Sequence, residues 1–172
     1  MERTHSSLGT ANPSRSRGTR RVAITAAVLL VGVAAFQAAV ALGAPLSNYV
    51  WGGFSDGELS PVFRIASAFA AGSLLWMAMV VLARGGVELP VNPARADRLQ
   101  TVTWIIAGFM VLNTLGNVAS QSANEQLLFA PVTALLAVLV GFLALRVVEI
   151  HRADGRQRFV VKIPGCRIQV RD

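Results

Sequence analysis

The stretch Arg20-Arg21-Val22-Ala23-Ile24-Thr25-Ala26-Ala27-Val28-Leu29-Leu30-Val31-Gly32-Val33-Ala34-Ala35-Phe36-Gln37-Ala38-Ala39-Val40-Ala41-Leu42 decides the class of this protein. After the paired arginines no side chain ionises, and Gln37 is the one amide. At 1.5 Å per residue, 22–42 is long enough as a helix to cross the hydrocarbon core of a bilayer. Three further apolar runs follow at 62–83, 102–119 and 127–147. The reading is an all-α membrane protein, a bundle of four antiparallel transmembrane helices.

The cations orient it. Of the 16 Lys and Arg residues, Arg3, Arg15, Arg17, Arg20 and Arg21 precede the first run, and Arg84, Arg95 and Arg98 lie between the second and third. Arg146, Arg152, Arg156, Arg158, Lys162, Arg167 and Arg171 follow from the end of the fourth, which leaves only Arg64 on the other side. Connections rich in Lys and Arg stay in the cytoplasm, so both termini are expected there, in a multi-pass protein of the cell (plasma) membrane. The net charge of +7 is explained by these flanks. A nucleic-acid reader needs a basic face on a folded surface, and no nucleic-acid partner is expected. The lipid bilayer is the first partner, with anionic headgroups meeting the cations.

A basic start followed by apolar residues, with Ala39-Val40-Ala41 as small cleavage-site residues, resembles a secretory signal. The run exceeds the usual apolar region of roughly 7–15 residues, and three spans follow it. Arg20-Arg21 resembles a twin-arginine signal, but its neighbours do not extend the likeness. An uncleaved first helix is expected. With 172 residues, 53% of them hydrophobic, one domain is expected. A lone cysteine, Cys166, excludes an internal disulfide and multi-cysteine metal sites.

Segment 1–21 reads as a disordered basic cytoplasmic tail, since it has too little apolar surface to offset its ordering entropy. Segment 148–172 is a second basic tail, where alternating residues around Pro164-Gly165 suggest a short β-hairpin. The connection 43–60 is rich in Gly and carries Tyr49, Trp51 and Phe54, aromatic residues suited to headgroup depth. Pro61 fits the first position of the second helix. Ser122 and Glu125 have capping-box spacing for the fourth, inside which Pro131 is expected to produce a kink. The turn before it is short, so helices three and four should be antiparallel neighbours. Small residues spaced four apart supply close packing: Ala34 with Ala38, Ser67 with Ala71, Ala68 with Gly72, Gly116 with Ser120, and Ala137 with Gly141.

The polar residues inside the spans gather toward the external side. Gln37 lies roughly 8 Å and Asn113 roughly 9 Å below that boundary at the helical rise. Asn117 and Ser120 follow Asn113 on one face, Ser67 sits one turn below Arg64, and Glu125 stands at the mouth. Polar groups in lipid are costly, so these are expected to turn inward, with Arg64 paired to an external acid (Asp56, Glu58 or, above all, Glu125). Gln37, Arg64, Ser67, Asn113, Asn117, Ser120 and Glu125 are therefore a candidate ligand-binding set in an outward-facing vestibule for a small solute or lipid-like molecule. A plainer reading stands beside it: the amides bond helices together, Ser122 and Glu125 only cap a helix, and the chain is a structural or assembly subunit meeting a membrane-protein partner. The inner half is nearly all apolar, with Ser73 and Thr25 among its few polar residues, so a dead-ended vestibule fits better than a channel.

No cofactor or metal is expected. Gly52-Gly53 and Gly85-Gly86 precede no Lys-Ser/Thr pair, and His5 and His151 lie in opposite tails. An enzyme is not expected either; an acid or base role for Glu125 beside Asn117 and Ser120 is the least favoured alternative. Gln37-Ala-Ala-Val-Ala-Leu-Gly-Ala-Pro45, Trp51-Gly-Gly53, Arg64-Ile-Ala-Ser67 and Asn117-Val-Ala-Ser-Gln-Ser-Ala-Asn-Glu125 resemble small four-helix bacterial integral membrane proteins of uncharacterised function. The likeness covers roughly 22–147 and implies topology without substrate, cofactor or catalytic residue. Leu46 and Ser47 depart from the bulky residue and Gly usual after Ala-Pro, which bears on the loop conformation alone.

Overall fold

A computed structural model describes residues 13–53, 59–89 and 98–145, together with Lys162–Ile163 and Cys166–Arg167. Among them are four α-helices: α1 (Pro13–Ala41), α2 (Pro61–Arg84), α3 (Leu99–Val118) and α4 (Ala123–Leu145). All four are long and apolar enough to cross a membrane. Two-residue strands β1 (Lys162–Ile163) and β2 (Cys166–Arg167) pair antiparallel, and the rest of the expected hairpin lies outside the described residues.

α1 begins earlier than the apolar run. The expected disordered tail 1–21 is corrected from Pro13 onward, since 13–21 is already helical. Pro13 lacks only an N–H that the first turn leaves unpaired anyway, and arginine favours the helix almost as well as alanine. Residues 1–12 lie outside the described residues. α2 starts at Pro61 as expected, and α4 contains Pro131.

The bundle is built from two tight pairs, α1 with α2 and α3 with α4, which meet mainly through α1 and α4. α2 and α3 touch sparsely. Each pair is antiparallel. The end of α1 meets the start of α2 where Arg64 reaches Ala41, and the first part of α1 meets the end of α2 where Ala23 faces Gly85. A Cβ at Gly85 would overlap that of Ala23, so the two backbones approach as closely as a missing side chain allows. Of the small-residue pairs, Ser67, Ala71 and Ala34 are buried, whereas Ala68, Gly72 and Gly116 face outward. Ala68–Gly72 is not a packing seam; spacing alone gives no indication of which face of the helix it occupies.

Toward the basic end, Ala23, Ala26, Ala27, Leu30, Ala78, Val81, Leu99, Ile106, Leu136, Val140 and Leu143 form a buried apolar layer. Thr103 is buried within it, unnoticed in the sequence, and spends its hydroxyl on Leu99 O at 2.7 Å. The opposite end is capped by the α1–α2 connection, which winds through 3-10 turns at Ser47–Tyr49 and Trp51–Gly53. It is fastened to the α3–α4 turn by the Ser122 hydroxyl, which donates to Asn48 O at 2.5 Å.

Candidate functional site

Glu125 organises the capped end. The Ser122 hydroxyl accepts from Glu125 N–H at 3.3 Å, which is half of the expected capping box. The other half is not made, because the Glu125 carboxylate is drawn elsewhere: its Oε2 accepts from Gly52 N–H at 2.8 Å and from the Ser120 hydroxyl at 2.6 Å. Ser120 in turn accepts from Ser122 N–H at 3.2 Å. One carboxylate thus ties the first connection to the last helix. Hydrogen bonds to a charged acceptor are roughly twice as strong as neutral ones.

The expected Arg64–Glu125 pair is a correction. Arg64 Nε donates to Ala41 O at 3.0 Å instead. The last carbonyls of a helix have no partner within it and carry the negative end of its dipole, so a cation from the neighbouring helix is well placed there. Gly43 follows with φ of +95°, and a Cβ there would lie 3.0 Å from the Arg64 guanidinium.

Trp51 is the residue that sequence reading missed as a site element. Its indole N–H donates to the buried Ser67 hydroxyl at 3.1 Å and its ring lies against Phe63 at 5.5 Å. Its φ is +54°, followed by Gly52 at +79° and Gly53 at +67°. A bulky residue in the left-handed region is strained, and such strain is held only where the surroundings over-determine it. Here those surroundings are the Ser67 bond on one side and the Gly52–Glu125 bond on the other.

Below Trp51 lies a cavity of about 460 Å³, lined by all four helices and within the usual range for a small-molecule site. Of the seven expected residues, Gln37, Asn113, Asn117 and Glu125 line it. Arg64, Ser67 and Ser120 do not; they hold the α1 end, Trp51 and Glu125 respectively. Phe69, Ala70, Met77, Phe109 and Phe129 make much of the remaining wall, and Phe129 is held by an edge-on contact with Phe36 at 5.0 Å. Thr133, also in the wall, accepts from the Asn117 amide at 3.3 Å and donates to Phe129 O at 2.8 Å. Thr133 was legible only as an ordinary residue of an apolar helix, four positions beyond Phe129.

The amides differ in what they do. Asn117 bonds α3 to α4, as the plainer reading requires. Asn113 does not cross between helices: its amide donates to Phe109 O, one turn back on α3, at 3.2 Å. The Oε1 of Gln37 is buried and has no hydrogen-bond partner among the described residues. A buried polar atom left unpaired costs about 1 to 3 kcal/mol, a cost a ligand or water at the cavity would remove. Comparison with family models, curated proteins and solved structures gives no match.

Proposed function

We propose that this chain is a multi-pass protein of the cell membrane, both termini cytoplasmic, whose outward-facing vestibule binds a small solute or lipid-like molecule. The kinship with small four-helix bacterial membrane proteins and the C-terminal hairpin belong to the same proposal. The observation that carries it is a cavity to which every helix contributes, with Gln37, whose buried Oε1 has no hydrogen-bond partner among the described residues, in its lining. The buried apolar layer beyond Leu136 favours binding over passage through the bundle. Glu125 Oε2 already accepts two bonds that hold the capped end together, which favours a structural carboxylate over an acid–base catalyst.

The assembly-subunit reading keeps one supporting observation, the Asn117–Thr133 bond between helices. Asn113→Leu separates the two, because Asn113 bonds only within its own helix. On the binding reading, mass spectrometry of the purified protein should detect a co-purifying molecule that this variant loses, with thermal unfolding unchanged within about 1 kcal/mol. Retention of the molecule, or a wild-type protein that carries none and is captured instead by crosslinking to one specific membrane protein, would favour the assembly role.

A further inference from the structure

The cavity has a side as well as an end. On α2 its lining residues Ala66, Phe69, Ala70, Ser73, Leu74 and Met77 form one stripe at helical spacing. The stripe that packs on α1, through Ser67, Ala71 and Ala78, is a different one. α3 presents Phe109, Met110 and Asn113 to the same space. Phe69 and Phe109 line the cavity and are nevertheless 79% and 44% exposed, so the space reaches the surface of the bundle between α2 and α3, where those helices touch least. In a bilayer that surface meets acyl chains, not water.

Of the two amide N–H groups on each asparagine at the polar end, Asn113 spends one on Phe109 O and Asn117 one on Thr133 Oγ1. Gln37 Oε1 has no donor among the described residues, and Glu125 is the one ionisable residue among those that line the cavity. The Glu125 carboxylate favours an occupant that is positively charged, and the Gln37 Oε1 favours one that donates hydrogen bonds. A primary ammonium offers three donors from a compact charge. The remaining wall is mainly apolar and suits a hydrocarbon chain.

Resting on the binding reading above, we infer that the vestibule takes a single-chain amphiphile with a primary ammonium head, which reaches it sideways from the bilayer between α2 and α3. The head sits among Gln37, Asn117 and Glu125; the chain lies along Phe69, Met77 and Phe109 and trails out through the gap.

Trp51 lines the cavity and reports on it directly. With Trp76→Phe and Trp104→Phe it is the sole indole among the three tryptophans. In nanodiscs, its emission should respond saturably to dodecylammonium, roughly tenfold more tightly than to dodecanol and more tightly still than to dodecanoate. Calorimetry on the unaltered chain should give the same order. Gln37→Leu, which removes an oxygen with no partner among the described residues, should weaken dodecylammonium roughly tenfold without lowering the unfolding temperature. Equal saturable binding of all three probes overturns the ammonium head while leaving a binding vestibule in place. No saturable response by either method sinks both, and a dimer dispersed by Phe69→Ala would then put a second copy over the gap. For the route, Phe69→Cys and Phe109→Cys in a Cys166→Ser background, bridged by a short bismaleimide, should slow dodecylammonium association at least roughly tenfold. An unchanged rate sends the molecule in past Trp51 and overturns the sideways path.

Discussion

Replacing Glu125 with Gln keeps the shape of the side chain but removes the charge that Gly52 N–H and the Ser120 hydroxyl now share. The expected cost is about 1 to 2 kcal/mol, read as a lower midpoint of thermal unfolding in detergent, with Trp51 emission changing as its neighbouring turn loosens. An unaltered midpoint would mean that the capped end is held by Ser122 and Asn48 alone. The capping role of Glu125 was legible from Ser122 three positions earlier; the use of its carboxylate was not. Gly52 is 73 residues away in the chain, and nothing local to either residue announces their meeting. Arg64 is similar. A cation there demands a negative partner and the sequence displays only acidic side chains as candidates, whereas among the described residues the partner is the backbone carbonyl of Ala41. Main-chain dipoles at a helix end do the work of a carboxylate and leave no trace in composition.

At the scale of elements, the apolar runs located all four helices because length and hydropathy are nearly sufficient inside a bilayer, where every backbone group must be satisfied within its own helix. The ends were less legible. Hydropathy marks where lipid stops, not where the hydrogen-bonded ladder stops, so α1 runs back through Arg20 and Arg21 to Pro13. Seams were harder again. Gly85, which the sequence presents only as half of a Gly-Gly pair, has ordinary backbone angles and needs its missing side chain because Ala23 occupies that place. Gly85→Ala should therefore force α1 and α2 apart and cost about 1 to 3 kcal/mol, visible in thermal unfolding. Gly72→Ala, whose added methyl group would meet open space, should be neutral or slightly stabilising by the same measurement and serves as the control.

For the whole molecule, the distribution of cations predicts that a reporter fused after Asp172 is active in the cytoplasm and silent outside it. The opposite result would invert the bundle and turn the vestibule inward. That polar residues would collect near one end was readable from their depth along each run; that the space beside them opens between α2 and α3 was not, because it depends on which pairs of helices pack tightly. The buried layer of Ala, Leu, Val and Ile toward the basic end has an electrical consequence that holds whichever way the bundle points. A polar recess that admits water or ions from one face brings that face's potential deep into the protein, so most of the membrane voltage falls across the thin dry slab beneath it. A charge moving through the full drop exchanges about 2.3 kcal/mol per 100 mV. An ammonium seated near Gln37, whatever its route, lies only a fraction of that drop away from the wetted face, so its occupancy should be set by concentration and chemistry far more than by the cell's resting polarisation.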